Sequence, residues 1–141
     1  MSLQGKKVVI VGGSSGIGYA TAAMAKAQGA EVVIASRAGA RLDAAAKALG
    51  VKAIPADVTG DEAVENLFRQ TGAVDHVAVT AAQLKAGPFK TQPIAEAKAT
   101  MEGKFWGSWR VARFAEFRPG GSLTIVSGFL SIRPRPNSAI V

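Results

Sequence analysis

Short apolar runs alternate with helix-forming segments along this chain, and this alternation limits the possible folds more than any other feature. The runs that predict five strands are KKVVIVG, AEVVIAS, VKAIPAD, VDHVAVTA and GGSLTIVSG. The segments between them predict four helices, of which the last runs from Ile94 to Phe117. Alternation with short connections predicts an α/β protein with a doubly wound parallel sheet and helices on both faces.

Length and composition predict one domain over residues 1–141, because a hydrophobic fraction of 48% is enough to build a core. The absence of cysteine and the single histidine exclude disulfides and argue against a metal site. No apolar run approaches the ~20 residues of a membrane span. The start, MSLQGKK, lacks the apolar core of a signal peptide. These features predict a cytoplasmic protein without a membrane segment.

The formal net charge of +7 raises the question of nucleic-acid binding. The lysines and arginines are spread along the chain and form no dense run interleaved with aromatic residues. This distribution disfavours a nucleic-acid partner. It is typical of a solvated surface with a few cations for an anionic cofactor.

The stretch VGGSSGIG, residues 11–18, lies between the first strand and the first helix, and we call it the glycine loop. Glycines allow a tight turn and a close approach of the backbone to a phosphate. The start of the helix adds free N–H groups and a partial positive charge, and two serine hydroxyls add donors. The predicted dinucleotide-binding residues here are Gly12, Ser14, Ser15, Gly16, Ile17 and Gly18.

The spacing Gly-x-x-x-Gly-x-Gly resembles the short-chain dehydrogenase/reductase superfamily, whose pattern is Thr-Gly-x-x-x-Gly-x-Gly. Val11 replaces the threonine, and Gly12, Gly16 and Gly18 match. The resemblance covers the chain from Lys6 onward. It implies a Rossmann-like fold and hydride transfer between a nicotinamide dinucleotide and a carbonyl or alcohol.

Two further segments carry the resemblance. Asp57 and Val58, after the third strand, resemble the family's Asp-Val pair, which contacts adenine. The fourth-strand segment ends Val79-Thr80-Ala81-Ala82 where the family has Asn-Asn-Ala-Gly, so Ala81 and Ala82 occupy its last two positions. The resemblance implies cofactor contacts by four of these residues: Asp57, Val58, Ala81 and Ala82.

The end of the second strand bears on the choice between the two dinucleotides. An acid there would bind the ribose hydroxyls of NAD(H) and repel a 2′-phosphate, but the chain has Ser36, Arg37 and Arg41. Because a guanidinium suits a phosphate, we predict NADP(H) over NAD(H). The alternative is that Arg37 is only a surface residue after a strand.

The family performs its chemistry with Asn, Ser, Tyr and Lys. Lys104, in KFWG, occupies the Asn position, either as a substituted catalytic or cofactor contact or as an amine that extends into solvent. Ser127 precedes the Ser position, which falls on Gly128, and either substitutes for that serine or is only a strand-end hydroxyl.

The Tyr position falls on Val141, and the partner Lys would lie four residues further along. Tyr19, the single tyrosine, lies in the first helix and cannot replace it. We therefore expect a C-terminally truncated chain, with a sheet that stops after about five strands and with little or no turnover. The alternative function is a non-catalytic NADP-binding or structural protein on the same fold.

The helix predicted at Ile94–Phe117 is rich in aromatic residues. Family members oligomerise through their long helix, so this resemblance implies a possible homo-oligomer. The alternative, which we favour from the sequence, is that the aromatic side chains pack inside the monomer.

Overall fold

Five strands alternate with helices in the computed structural model, which describes residues 2–82, 84–133 and 135–137. The strands are β1 (Lys7–Val11), β2 (Glu31–Ser36), β3 (Lys52–Pro55), β4 (Val74–Val79) and β5 (Phe117–Ile125). The α-helices are α1 (Gly16–Ala27), α2 (Ala40–Leu49), α3 (Asp61–Thr71), α4 (Ile94–Met101) and α5 (Gly107–Phe114). A π-helical turn, Glu102–Trp106, joins α4 to α5, and a 3₁₀ turn, Phe129–Ser131, follows β5.

The strands form one parallel sheet in the order β3-β2-β1-β4-β5, which confirms the predicted Rossmann-like class. The chain moves outward from β1 to β3 and then returns to the other side of β1 with β4. The order therefore reverses between β1 and β4. In open α/β sheets, ligands bind beyond the carboxyl ends of the strands at such a reversal.

Alternate residues of the central strands pack on opposite faces of the sheet. Val8 and Ile10 pack with α1 and α2, whereas Val9 and Val11 pack with α3 and α5. All four side chains are buried, as expected for a parallel sheet covered on both faces. Within the described residues, no helix combines the length and apolar character needed to cross a bilayer.

An ionic cluster ties the amino ends of three strands together. The carboxylate of Asp75, only 7% exposed, accepts hydrogen bonds from the Lys7 backbone N–H (2.8 Å), Arg118 Nη1 (2.9 Å) and Lys6 Nζ (3.2 Å). The Lys7 N–H and the two cations together outweigh the cost of burial and lower the pKa of Asp75 to about 2. This cluster lies at the edge of the sheet opposite the carboxyl ends.

The predicted helix Ile94–Phe117 is wrong at its end, because α5 stops at Phe114 and Phe117 begins β5. The backbone N–H of Val74 donates to the Glu116 carbonyl at 2.9 Å, so pairing with β4 replaces the last helical turn. The strand then bulges over residues 118–121, between the pairs Val74–Phe117 and His76–Ser122. The predicted fifth strand therefore begins and ends about three residues too late.

The favoured interpretation of the aromatic residues is also wrong. Phe105, Trp106 and Trp109 are 50%, 47% and 58% exposed, and Trp106 makes edge-to-face contacts with each of the other two. The buried positions of α5 are Gly107, Ser108 and Val111, which turn the aromatic residues away from the sheet. Only Phe114 among the helix aromatics packs partly against the core.

Candidate cofactor-binding cleft

A cleft of about 700 Å³ lies at the carboxyl ends of β1, β2, β3 and β4, where the strand order reverses. Every residue that the sequence predicts for the cofactor lines this cleft: Gly12, Ser14, Ser15, Gly16, Ile17, Gly18, Ser36, Arg37, Arg41, Asp57, Val58, Ala81 and Ala82. The cleft is also lined by residues that were not predicted from the sequence: Val11, Ala38, Gly39, Ala40, Ala56, Thr59, Thr80 and Gly103.

The glycines of the glycine loop have two different physical roles. A Cβ at Gly12 would lie 2.5 Å from the Ala81 backbone nitrogen, and one at Gly18 would lie 2.2 Å from the Gly12 carbonyl oxygen. These two glycines let the loop, α1 and the end of β4 pack closely. Gly16 has a φ of +54° and a Cβ there would meet nothing within 4 Å, so its surroundings remain open.

The amino end of α1 gives the cleft an anion-binding character. Ser15 is the N-cap residue, and its side chain makes no capping hydrogen bond. The first turn of any helix leaves N–H groups without intrahelical acceptors, and the helix dipole makes this end positive. Ser14 Oγ donates to Ser36 Oγ at 3.0 Å, which connects the glycine loop to the end of β2.

The wall formed by β2 and α2 is cationic. Arg37 follows β2 directly and Arg41 lies in the first turn of α2, and both side chains are exposed. Among the residues that the structure describes, no acidic side chain lines the cleft at the end of β2. The opposite wall carries Asp57, whose Oδ1 accepts from the Thr59 N–H (2.9 Å) and Thr59 Oγ1 (2.8 Å).

Thr80 closes the floor of the cleft. Its N–H donates to the Val11 carbonyl at 2.8 Å, and its Oγ1 also reaches that carbonyl at 3.2 Å. Thr80 is the first residue after β4, and this position at the carboxyl edge of the sheet would have predicted from the sequence that it lines the cleft. Gly103 reaches the cleft from the π-helical turn. No sequence pattern predicts the extra residue that such a turn inserts into a helix.

Lys104 and Ser127, the two catalytic candidates, lie beside the end of β5. Lys104 Nζ donates to the Val126 carbonyl, so the amine turns inward and does not extend into solvent. Burial lowers the pKa of Lys104. Ser127 follows Val126, is exposed, and does not line the cleft. The predicted Tyr position, Val141, lies outside the described residues.

The comparisons with known proteins agree with this geometry. Residues 11–141 match the family described as Enoyl-(Acyl carrier protein) reductase. An oxidoreductase of Mycobacterium tuberculosis is 53% identical over 57 residues, which are 40% of this chain and 23% of that protein. A short-chain dehydrogenase/reductase of Acremonium sp is 30% identical over 99% of this chain and 62% of its own length.

A solved structure shows the same architecture. A short-chain dehydrogenase/reductase of Serratia marcescens has a TM-score of 0.87 and 27% identity, over 99% of this chain and 62% of its own. The chain thus spans less than two thirds of the length of these relatives. The match over residues 11–141, together with the shared parallel sheet, shows that this chain belongs to the short-chain dehydrogenase/reductase superfamily, an oxidoreductase family that binds nicotinamide dinucleotides.

Proposed function

We propose that this chain binds NADP(H) in the cleft and acts in an oxidoreductase whose substrate is a carbonyl or an alcohol. The observation that carries the proposal is the convergence of the glycine loop, the basic end of β2 and the Asp57–Val58 wall on one cleft. A dinucleotide combines an anionic pyrophosphate with ring systems that pack against apolar side chains. The glycine loop fits the pyrophosphate, and Val58, Ala81 and Ala82 supply apolar side chains in the same cleft. The open space at Gly16 lies in the anion-binding part of this cleft.

Each part of the proposed cofactor has a candidate site. The glycine loop and the first turn of α1 would hold the pyrophosphate through backbone N–H groups. Asp57 and Val58 would contact the adenine, while Ala81 and Ala82 would line the path toward the nicotinamide. When bound, the nicotinamide supplies or accepts the hydride.

The preference for NADP(H) rests on the charges around the adenosine end. Ser36 supplies a hydroxyl, and Arg37 and Arg41 supply guanidinium groups that suit a 2′-phosphate. Calorimetry at fixed salt tests the preference by comparing NADPH with NADH. Binding of NADH equal to that of NADPH would contradict it.

A charge reversal sharpens this test. Arg37→Asp is expected to weaken NADPH binding by tenfold or more, because a charge-assisted contact contributes about 1.5–3 kcal/mol. NADH binding should change little. Lys47→Asp on α2 is the matched control, since it makes the same charge change outside the cleft. Equal losses for both dinucleotides in Arg37→Asp would refute the assignment.

Lys104 and Ser127 are the proposed contributors to the chemistry. The Val126 carbonyl fixes Lys104 Nζ, and the lowered pKa eases release of a proton from that amine. Ser127, the residue after Val126, is exposed, and its hydroxyl is the proposed group that orients a substrate oxygen. In this proposal the amine supplies a proton and the hydroxyl positions the substrate.

The second candidate function is NADP(H) binding without catalysis. One observation favours it, because the single tyrosine, Tyr19, lies on α1 beside the core and no Tyr-x-x-x-Lys pair occurs in residues 1–141. NADPH oxidation in the presence of simple carbonyls separates the two functions. We expect little or no turnover by this chain, and efficient oxidation would support the catalytic function.

Self-association through the helical segment 94–114 is part of the same proposal. The exposed surface formed by Phe105, Trp106 and Trp109 supports it, because contiguous aromatic surface is typical of protein interfaces. Family members use this long helix in the same way. The partner proposed here is a second copy of this chain.

A further inference from the structure

Helix α5 contacts the segment that forms the adenine wall of the cleft. A Cβ at Gly107 would lie 2.9 Å from Val58 Cγ2 and 3.0 Å from Val58 Cβ. Glycine at this position therefore lets the Val58 side chain lie directly against the helix. We call residues 57–60, which lie in the connection between β3 and α3, the adenine-wall loop.

Arg110, one helical turn after Gly107, makes a second contact with the same loop. Its Nη1 donates to the Val58 carbonyl at 3.3 Å. Val58 is thus contacted twice from α5, once through its side chain and once through its backbone. Arg110 itself does not line the cleft, so its effect on a ligand would act through the loop.

Two carboxylates hold the guanidinium in place. Arg110 Nε donates to Asp61 Oδ1 at the start of α3, and Nη2 lies 2.5 Å from Glu102 Oε1 in the π-helical turn. The Arg110 side chain is only 17% exposed. A guanidinium with its donors fixed in this way loses little conformational freedom when it binds a carbonyl.

The rest of the loop depends on the position of Val58. Asp57 is bonded to Thr59 within the loop, and the Gly60 N–H donates to the Asp57 carbonyl at 3.1 Å. These bonds fix the internal shape of the loop, but they do not fix its distance from β1 and β4. The loop is attached to the sheet at its start, where the Ala56 N–H donates to the Ser36 carbonyl at 2.8 Å, and the contacts of α5 attach it a second time at Val58.

We propose that Arg110 is a positioning residue for the adenine end of the cleft, which it holds in shape through the Val58 carbonyl. This inference rests on the proposed function, because it assigns Arg110 to the affinity for the adenosine half of the dinucleotide. The guanidinium connects α5, the π-helical turn and α3 to the adenine-wall loop. It does not touch the ligand.

The test measures adenosine monophosphate and NADPH binding to the chain with Arg110→Met. Both affinities are expected to fall by the same factor, about five- to tenfold, because the lost 3.3 Å bond is long and acts on the ligand only through the loop, as a hydrogen bond of ordinary net strength. Arg110→Lys keeps one donor for the Val58 carbonyl and should recover part of the loss. Arg113→Met is the matched control, since Arg113 lies on the same helix and its guanidinium stacks over Phe114 at 5.8 Å.

Amide hydrogen exchange gives a readout that does not depend on a ligand. In Arg110→Met, exchange at Gly60 should accelerate about tenfold, while exchange in β1 stays unchanged. If Arg110→Met does not fold, Asp61→Asn is the second variant, because it removes one carboxylate that orients the guanidinium. It should weaken adenosine monophosphate about threefold.

Two results separate the possible failures. If the unmodified chain binds neither adenosine monophosphate nor NADPH, the proposed function and the ligand part of this inference are both wrong. If it binds both, and Arg110→Met binds them equally well with unchanged exchange at Gly60, then only the role of Arg110 is overturned.

Discussion

Gly18→Ala is the substitution for which the structure makes the sharpest prediction. The added Cβ would lie 2.2 Å from the Gly12 carbonyl oxygen and 2.5 Å from Thr80 Oγ1, whereas real Cβ atoms essentially never come closer than 3.0 Å. The start of α1 and the glycine loop must therefore separate by roughly 0.8 Å. Overpacking of this kind costs about 1–3 kcal/mol.

The assay combines thermal unfolding with NADPH titration. For a domain of this size, about 1–3 kcal/mol corresponds to a fall in Tm of roughly 4–12 °C. NADPH binding should be lost as well, because the displaced residues form the proposed pyrophosphate site. Gly128→Ala is the control, since a φ of −93° and open surroundings accept a Cβ.

Gly16→Ala separates packing from ligand contact. Its Cβ meets no protein atom within 4 Å, so its cost in stability is limited to the backbone conformation, about 1 kcal/mol. NADPH binding should nevertheless fall, because the methyl group occupies space that the cofactor would use.

For Gly18→Ala, a Tm within 1 °C of that of the unmodified chain would refute the argument that its Cβ clashes with the glycine loop.

Two further predictions concern the ends of the sheet and the long helix. The pKa of Asp75 is lowered in the folded chain, so its contribution to stability is fully present above its ordinary pKa of 3.8 and is lost as the pH falls toward 2. In chemical denaturation at a series of pH values, Asp75→Asn should therefore flatten the acid dependence of the free energy of unfolding. An unchanged pH profile would contradict this expectation. Trp109→Ser should shift the mass measured by analytical ultracentrifugation from that of a dimer to that of a monomer. Phe89→Ser is the control, because Phe89 is an aromatic residue outside the helix that is 84% exposed, and it should leave the mass unchanged. Equal masses for all chains would contradict the proposed interface.

Parallel strands bring their carboxyl ends to one edge of the sheet, which is why the residues selected from the sequence line one cleft. Gly12, Arg37, Asp57 and Ala81 follow four different strands, and the rule explains why they lie together, although Asp57 and Ala81 were selected through the family resemblance. Residues at such positions can be named from strand assignments without knowing a single side-chain contact.

The features that the sequence did not predict depend on tertiary contacts. The helix ends at Phe114 because the Glu116 carbonyl pairs with β4, and apolar spacing contains no information about that partner. The exposure of Trp109 depends on which face of α5 meets the sheet, and the π-helical turn shifts that face. The inward direction of Lys104 depends on the position of the Val126 carbonyl, which is distant in sequence.

The ionic cluster at Asp75 lies at the opposite end of β4 from the proposed nucleotide. The six residues of β4 span about 20 Å, more than twice the Debye length of about 8 Å at physiological salt. Changes of charge at Lys6 or Arg118 are therefore largely screened from the proposed 2′-phosphate site at Arg37 and Arg41. The charge of the surface around the amino ends of the strands can therefore be changed, for solubility or for attachment to a support, with little electrostatic effect on the proposed dinucleotide site.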